Sequence, residues 1–126
     1  MLTGMTANNT LIILAAIGIL LDVASGITKA WGVRNISSSK MREGLQHKMT
    51  YVIFIAVGFY CDALQASVNL GVHVPTGASV CVFVIASELV SISENMAACN
   101  PKIANWPILK QLASVGKILD GSVSDK

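Results

Sequence analysis

Charge is scarce in this sequence. Of its 126 residues only 13% are charged, while 53% are apolar; soluble domains carry roughly a quarter charged residues. So few charges cannot clothe a water-facing surface, and the mean hydropathy of +0.64 points the same way. This argues against a soluble helical bundle. The formal net charge is only +2, which argues against nucleic acid as a partner. There is no P-loop, GxGxxG, HExxH or GxSxG. His47 and His73 have no Asp, Cys or Ser partner nearby in sequence, so nothing points to an enzyme, a cofactor or a metal. Cys61, Cys81 and Cys99 are odd in number and lack CxxC or Cys/His spacing, so they read as small apolar filler rather than disulfides. The first ten residues carry no charged side chain, and no A-x-A-like cleavage site follows the first apolar run. That excludes a secretory signal, so the run should stay attached. Met1 and Met5 are alternative starts in principle.

What the sequence does have is long apolar runs. Leu11–Trp31 opens with LIILAAIGILL and spans 21 residues. As a helix that is about 31 Å, matching a hydrocarbon core of roughly 30 Å. A second run covers about 50–70, TYVIFIAVGFYCDALQASVNL, and a third about 77–96, GASVCVFVIASELVSISENM. The stretch VRNISSSKMREGLQHK between the first two reads as a basic loop, in which Ser37-Ser38-Ser39 is placed to cap a following interfacial helix. GVHVPT reads as a turn, and Asn100-Pro101 closes the third run. Trp106-Pro107 opens an amphipathic helix over about 107–119, with Gly121 as its stop and GSVSDK frayed beyond it. Its apolar face is Ile108, Leu109, Leu112, Val115, Ile118 and Leu119. It is too short to span, so it is expected to lie in the membrane interface or pack on a neighbour. The fold class is therefore an all-α membrane protein. It forms a single domain over 1–126, with three transmembrane helices and a C-terminal amphipathic helix.

Lys and Arg set its orientation. Arg34, Lys40, Arg42 and Lys48 crowd the first loop against Glu43 alone, with Lys29 just inside the span. The 71–76 link has no Lys or Arg, and the tail has Lys102, Lys110, Lys117 and Lys126. The positive-inside rule puts the first loop and the tail in the cytoplasm and the N-terminus outside, which three spans satisfy.

Each span carries a seam of small and polar residues at heptad-like steps. Ala15, Gly18, Asp22, Ser25 and Lys29 form the first; Gly58, Asp62, Gln65 and Asn69 the second; Glu88, Ser91, Asn95 and Ala98 the third, widened by Ser87 and Glu94. Residues so spaced share one helix face. Asp22, Asp62 and Glu88 each fall near the middle of their spans. Three acids facing lipid would cost roughly 8–10 kcal/mol on insertion scales, so they are expected to face one another, a neighbouring subunit or water. Lys29 and Glu94, at similar depth, are expected to pair. The seams are candidates for lining subunit contacts and a wet lumen in a homo-oligomer. The plainer alternative is packing within one three-helix protomer.

Two segments resemble phage holins of the toxin-secretion/phage-lysis type, the group that includes clostridial toxin-release holins. The first is LDVASGITKAWGVRNISSSKMREGLQHKM, through Asp22, Gly26, Lys29-Ala30, Ser38-Ser39-Lys40, Gly44 and Lys48. The second is SELVSISENMAACN, through Glu88, Leu89, Ser91, Glu94 and Asn95. The resemblance covers roughly residues 15–112, and NPKIANWP departs from it. It implies a protein that accumulates in the bacterial inner membrane and then assembles with copies of itself into lesions. Those lesions release an endolysin or a toxin, without direct contact with that cargo. Two other readings fit the same residues: a small regulated ion or proton channel, and a non-conducting antiholin-type accessory subunit.

Overall fold

The computed structural model describes residues 6–34 and 36–119. Met1, Met5, Gly121 and the GSVSDK tail lie outside them. Four α-helices follow in order: α1 (Ala7–Gly32), α2 (Ser38–Val68), α3 (Thr76–Cys99) and α4 (Pro107–Leu119), with a short 3-10 turn at Ile103–Asn105 before the last. The first three are long and apolar enough to cross a membrane.

Local chemistry sets the helix ends. The Thr6 hydroxyl accepts the Asn9 N–H at 3.3 Å and the Ser37 hydroxyl accepts the Lys40 N–H at 3.5 Å, each satisfying an N–H that has no partner within its own helix. At the other end of α2, Asn69 turns the chain in the left-handed region with φ 49°, and Gly71 follows at φ 72°. The Ser37 cap corrects one expectation. The basic stretch from Ser38 to Lys48 is not a loop but the first three turns of α2, continuous with the span. No glycine pair or proline interrupts it, and Lys, Met, Arg, Glu, Leu and Gln are good helix formers. The connection between the first two helices shrinks to residues 33–37.

The centre of the bundle is α3: α1, α2 and α4 each pack along it, while α1 and α2 do not pack along one another. Gly18 of α1 faces Glu88 of α3 and Gly26 faces Asn95, so these two helices run parallel. Gly58 of α2 faces Gly77 while Lys48 reaches Glu88, so α2 runs antiparallel to α3. At the Gly58–Gly77 crossing the backbones nearly touch. A Cβ on Gly58 would stand 3.0 Å from the Gly77 Cα, and one on Gly77 would overlap the Phe59 ring. The apolar core is thin: Ala15, Val80 and Val84, with Ile19, Tyr51, Ile55 and Ile85 packed around them. Most large apolar side chains point outward instead, among them Ile13, Leu20 and Trp31 of α1 and Ile53, Phe54 and Tyr60 of α2. In water that would be untenable; against acyl chains it is the expected pattern.

The last helix folds back on α3, with Gly116 pressed against Val90. Leu109 and Leu112 of its expected apolar face are half-buried, whereas Ile108, Val115, Ile118 and Leu119 remain exposed. Cys61, Cys81 and Cys99 are free thiols. Cys81 is the buried filler expected of it, but Cys99, the last residue of α3, is exposed.

Candidate functional site

A single ammonium joins all three long helices. Lys48, from α2, donates to Asp22 Oδ2 of α1 and to both Glu88 oxygens of α3, at 2.8 and 2.7 Å. Asn95, two turns further along α3, donates to Asp22 Oδ1 at 3.1 Å and to the Ser25 hydroxyl at 3.0 Å. Ser25 in turn donates to the Asp22 carbonyl at 3.0 Å. Glu88 is 1% exposed and Asp22 8%. Charges this far from water persist only when paired and hydrogen-bonded on their remaining sites. Among the described residues, no buried side-chain nitrogen or oxygen lacks a partner.

Small residues make room for this cluster. A Cβ on Gly18 would lie 3.4 Å from the Glu88 Cβ, and one on Gly26 3.7 Å from Asn95 Nδ2. A single methyl at either place would sit in ordinary van der Waals contact with α3, so the two glycines mark where α1 runs close beside the cluster. Beside the cluster, the Tyr51 ring centre lies 5.7 Å from Lys48 Nζ, and its hydroxyl is 3.3 Å from His47 Nε2.

The structure sorts the expected seams. Asp22, Ser25 and Gly26 of the first, and Glu88 and Asn95 of the third, do face one another, within one protomer. Ser91 is half-buried, and Lys29 and Glu94 are exposed. The expected Lys29–Glu94 pair does not form: the ion pairs among the described residues are those of Lys48 with Asp22 and with Glu88. Lys48 holds Asp22 and Glu88 because it lies on the inner face of α2, between the two buried acids.

The single-depth belt of three acids is likewise corrected. Asp62 lies 14 residues along α2 from Lys48, about 21 Å away at 1.5 Å per residue. Its two oxygens accept the backbone N–H groups of Thr76 and Gly77 at 2.8 and 3.0 Å. These are among the partnerless donors at the start of α3, where a carboxylate is also favoured by the helix dipole. Gln65 clamps the same turn, accepting the Val74 N–H at 2.7 Å and donating to the Val74 carbonyl at 3.0 Å. Asn69 ends α2. The second seam is therefore the lock of the α2–α3 turn. The first and third are the walls of the ion cluster.

Lys48 is a functional candidate that hydropathy alone places in a loop. A signal for it existed. Lys48, Tyr51, Ile55, Gly58, Asp62 and Gln65 step 3, 4, 3, 4, 3 along one face of α2, which extends the second seam backward into the basic stretch. Among the described residues, no group of three His, Cys, Asp or Glu side chains could hold a metal ion.

Comparison with known proteins agrees with this architecture. The model of the family described as "Bacteriophage holin family" matches residues 2–117. The uncharacterized proteins Lin0175 of Listeria innocua and Lmo0128 of Listeria monocytogenes are each 28% identical to this chain over 108 residues, covering 86% of it and 72% of their own length. No solved structure matches.

Proposed function

Since this chain belongs to the bacteriophage holin family, we propose that it acts as a holin. Copies gather in the bacterial cytoplasmic membrane, associate, and open a lesion through which an endolysin or a toxin escapes. In this reading the basic end of the bundle, where α2 begins, faces the cytoplasm, as its Arg34, Lys40 and Arg42 require. The protein performs no covalent chemistry, and its cargo need not touch it.

The observation that carries the reading is the Lys48 cluster. A holin must first accumulate without harm, so its charged groups need partners inside the resting protomer; here one ammonium holds two carboxylates from two other helices. It must later open, so some of its polar groups must be able to face water. Asp22, Ser25, Glu88 and Asn95 supply a polar surface once the helices part. Charges held within the membrane also couple assembly to its energy. Moving one charge through 100 mV is worth about 2.3 kcal/mol, so several subunits acting together would make the onset steep.

The test is induced expression in bacteria that also contain a cytosolic muralytic enzyme, with a membrane-impermeant dye outside. Abrupt dye entry followed by lysis is the expected result. Ion leakage without dye entry would instead indicate a small channel, and neither effect would indicate a non-conducting accessory subunit.

A further inference from the structure

We propose that Lys48 is a releasable latch: its withdrawal from between Asp22 and Glu88 is the step that turns a closed protomer into one that binds a second copy. The inference rests on the holin reading and adds to it the internal contact that holds the resting state.

Three observations lead to it. First, α1 and α2 pack along α3 but not along one another. The bond from Lys48 to Asp22 is thus a direct polar tie between two helices that each pack chiefly on α3. Second, α2 is held on α3 unevenly. At the turn end the Gly58–Gly77 approach and the Asp62 and Gln65 hydrogen bonds make a tight, backbone-level joint. Toward the basic end there are the side chains of Tyr51 and Ile55 and then the Lys48 ammonium. A helix fastened in this way pivots at the turn and swings free at the basic end. Third, the charges do not balance: one ammonium faces two carboxylates. When it leaves, Asp22 and Glu88 lie side by side on the parallel α1–α3 pair; Asn95 still donates to Asp22 Oδ1, while the Ser25 hydroxyl is spent on the Asp22 backbone carbonyl. Two uncompensated acids beside lipid are strongly unfavourable, and the same groups on a second protomer, with its own Lys48, complete the set.

The experiment uses the full chain, induced in bacteria with a cytosolic endolysin. Dye entry is timed, and multimers are captured by an amine-independent crosslinker before onset, at matched membrane levels. Lys48→Met is expected to bring onset forward by at least about twofold and to raise the early multimer fraction, as a shift in the closed population demands. The exchanged pair Lys48→Glu with Glu88→Lys keeps one ammonium between two carboxylates and is expected to restore wild-type timing. A residue that merely supports folding would move neither readout in this direction.

Unchanged or later onset for Lys48→Met at matched level, or an exchanged pair that stays as early as Lys48→Met, overturns the latch. If Lys48→Met fails to accumulate, Asp22→Asn decides, because it keeps the Lys48–Glu88 arm. A smaller advance supports the proposal and an unchanged onset overturns it. A wild-type protein that accumulates and never admits dye refutes the release function itself. The multimer fractions of wild type and Lys48→Met then still decide the latch.

Discussion

Lys48 and Glu88, 40 residues apart in the chain, meet at 2.7 and 2.8 Å in the interior of a bundle that turns most of its large apolar side chains outward. With Asp22 they make the point where α1, α2 and α3 come together. The fold's other tight feature, the Gly58–Gly77 crossing, lies toward the opposite end of the α2–α3 contact.

Cutting the cluster on one side should be far worse than removing it altogether. Lys48→Ala leaves Asp22 and Glu88 buried with no counter-charge and is expected to cost roughly 3–5 kcal/mol. The triple replacement Asp22→Leu, Lys48→Met and Glu88→Met removes every charge and is expected to stay within about 1 kcal/mol of wild type. Reversible unfolding in bicelles measures both. The same triple variant should insert normally and admit no dye, because only Ser25 and Asn95 remain of the polar surface it could offer water.

Glycines at different places should respond oppositely to one added methyl. Gly77→Ala meets the Phe59 ring and is expected to destabilise by roughly 1–3 kcal/mol. Gly44 lies within α2 with nothing within 4 Å, so Gly44→Ala is expected to stabilise by about 0.5–1 kcal/mol. Thermal unfolding in detergent, followed by circular dichroism, checks the pair.

Asp62 should behave as a cap and not as a member of the ion cluster. Asp62→Ala removes the acceptor of the Gly77 N–H group and one of two acceptors of the Thr76 N–H group, which also reaches the Val74 carbonyl at 2.8 Å, and is expected to cost about 1 kcal/mol. Hydrogen exchange at those two amides should accelerate while exchange near Glu88 does not.

Much of this was readable in the residues, and the failures have one cause. The α4 helix follows from Trp106-Pro107 and the spacing of Ile108, Leu112 and Val115. The helix α3 starts and stops within three residues of its apolar run. For α2 the apolar run misleads, because hydropathy marks where lipid is, not where a helix begins. Lys40, Arg42 and Glu43 are poor company for acyl chains and good helix formers. Reading them as a loop puts Lys48 outside the bundle, so Asp22 and Glu88 are grouped with Asp62 in one belt with no ammonium among them, and the one expected ion pair is Lys29 with Glu94. Which acids meet depends on helix register across three chain segments, and seam spacing fixes only the face of each helix.

The free thiols give a test of orientation. Cys99 lies exposed at the basic end of α3, while Cys81 is enclosed. An impermeant maleimide should label Cys99 rapidly in inside-out vesicles and not in intact spheroplasts. Cys81 should stay unlabelled in both until the protein is denatured.

The most direct measurement is solid-state NMR in bilayers, reading the dipolar coupling from the Lys48 side-chain nitrogen to the carboxyl carbons of Asp22 and Glu88. Labelled protein should be diluted stepwise into unlabelled protein. Couplings that persist undiminished per labelled chain would place the cluster within one protomer, as found here. Couplings that fade on dilution would mean the acids find their ammonium on another copy, and the closed protomer with its latch would be contradicted.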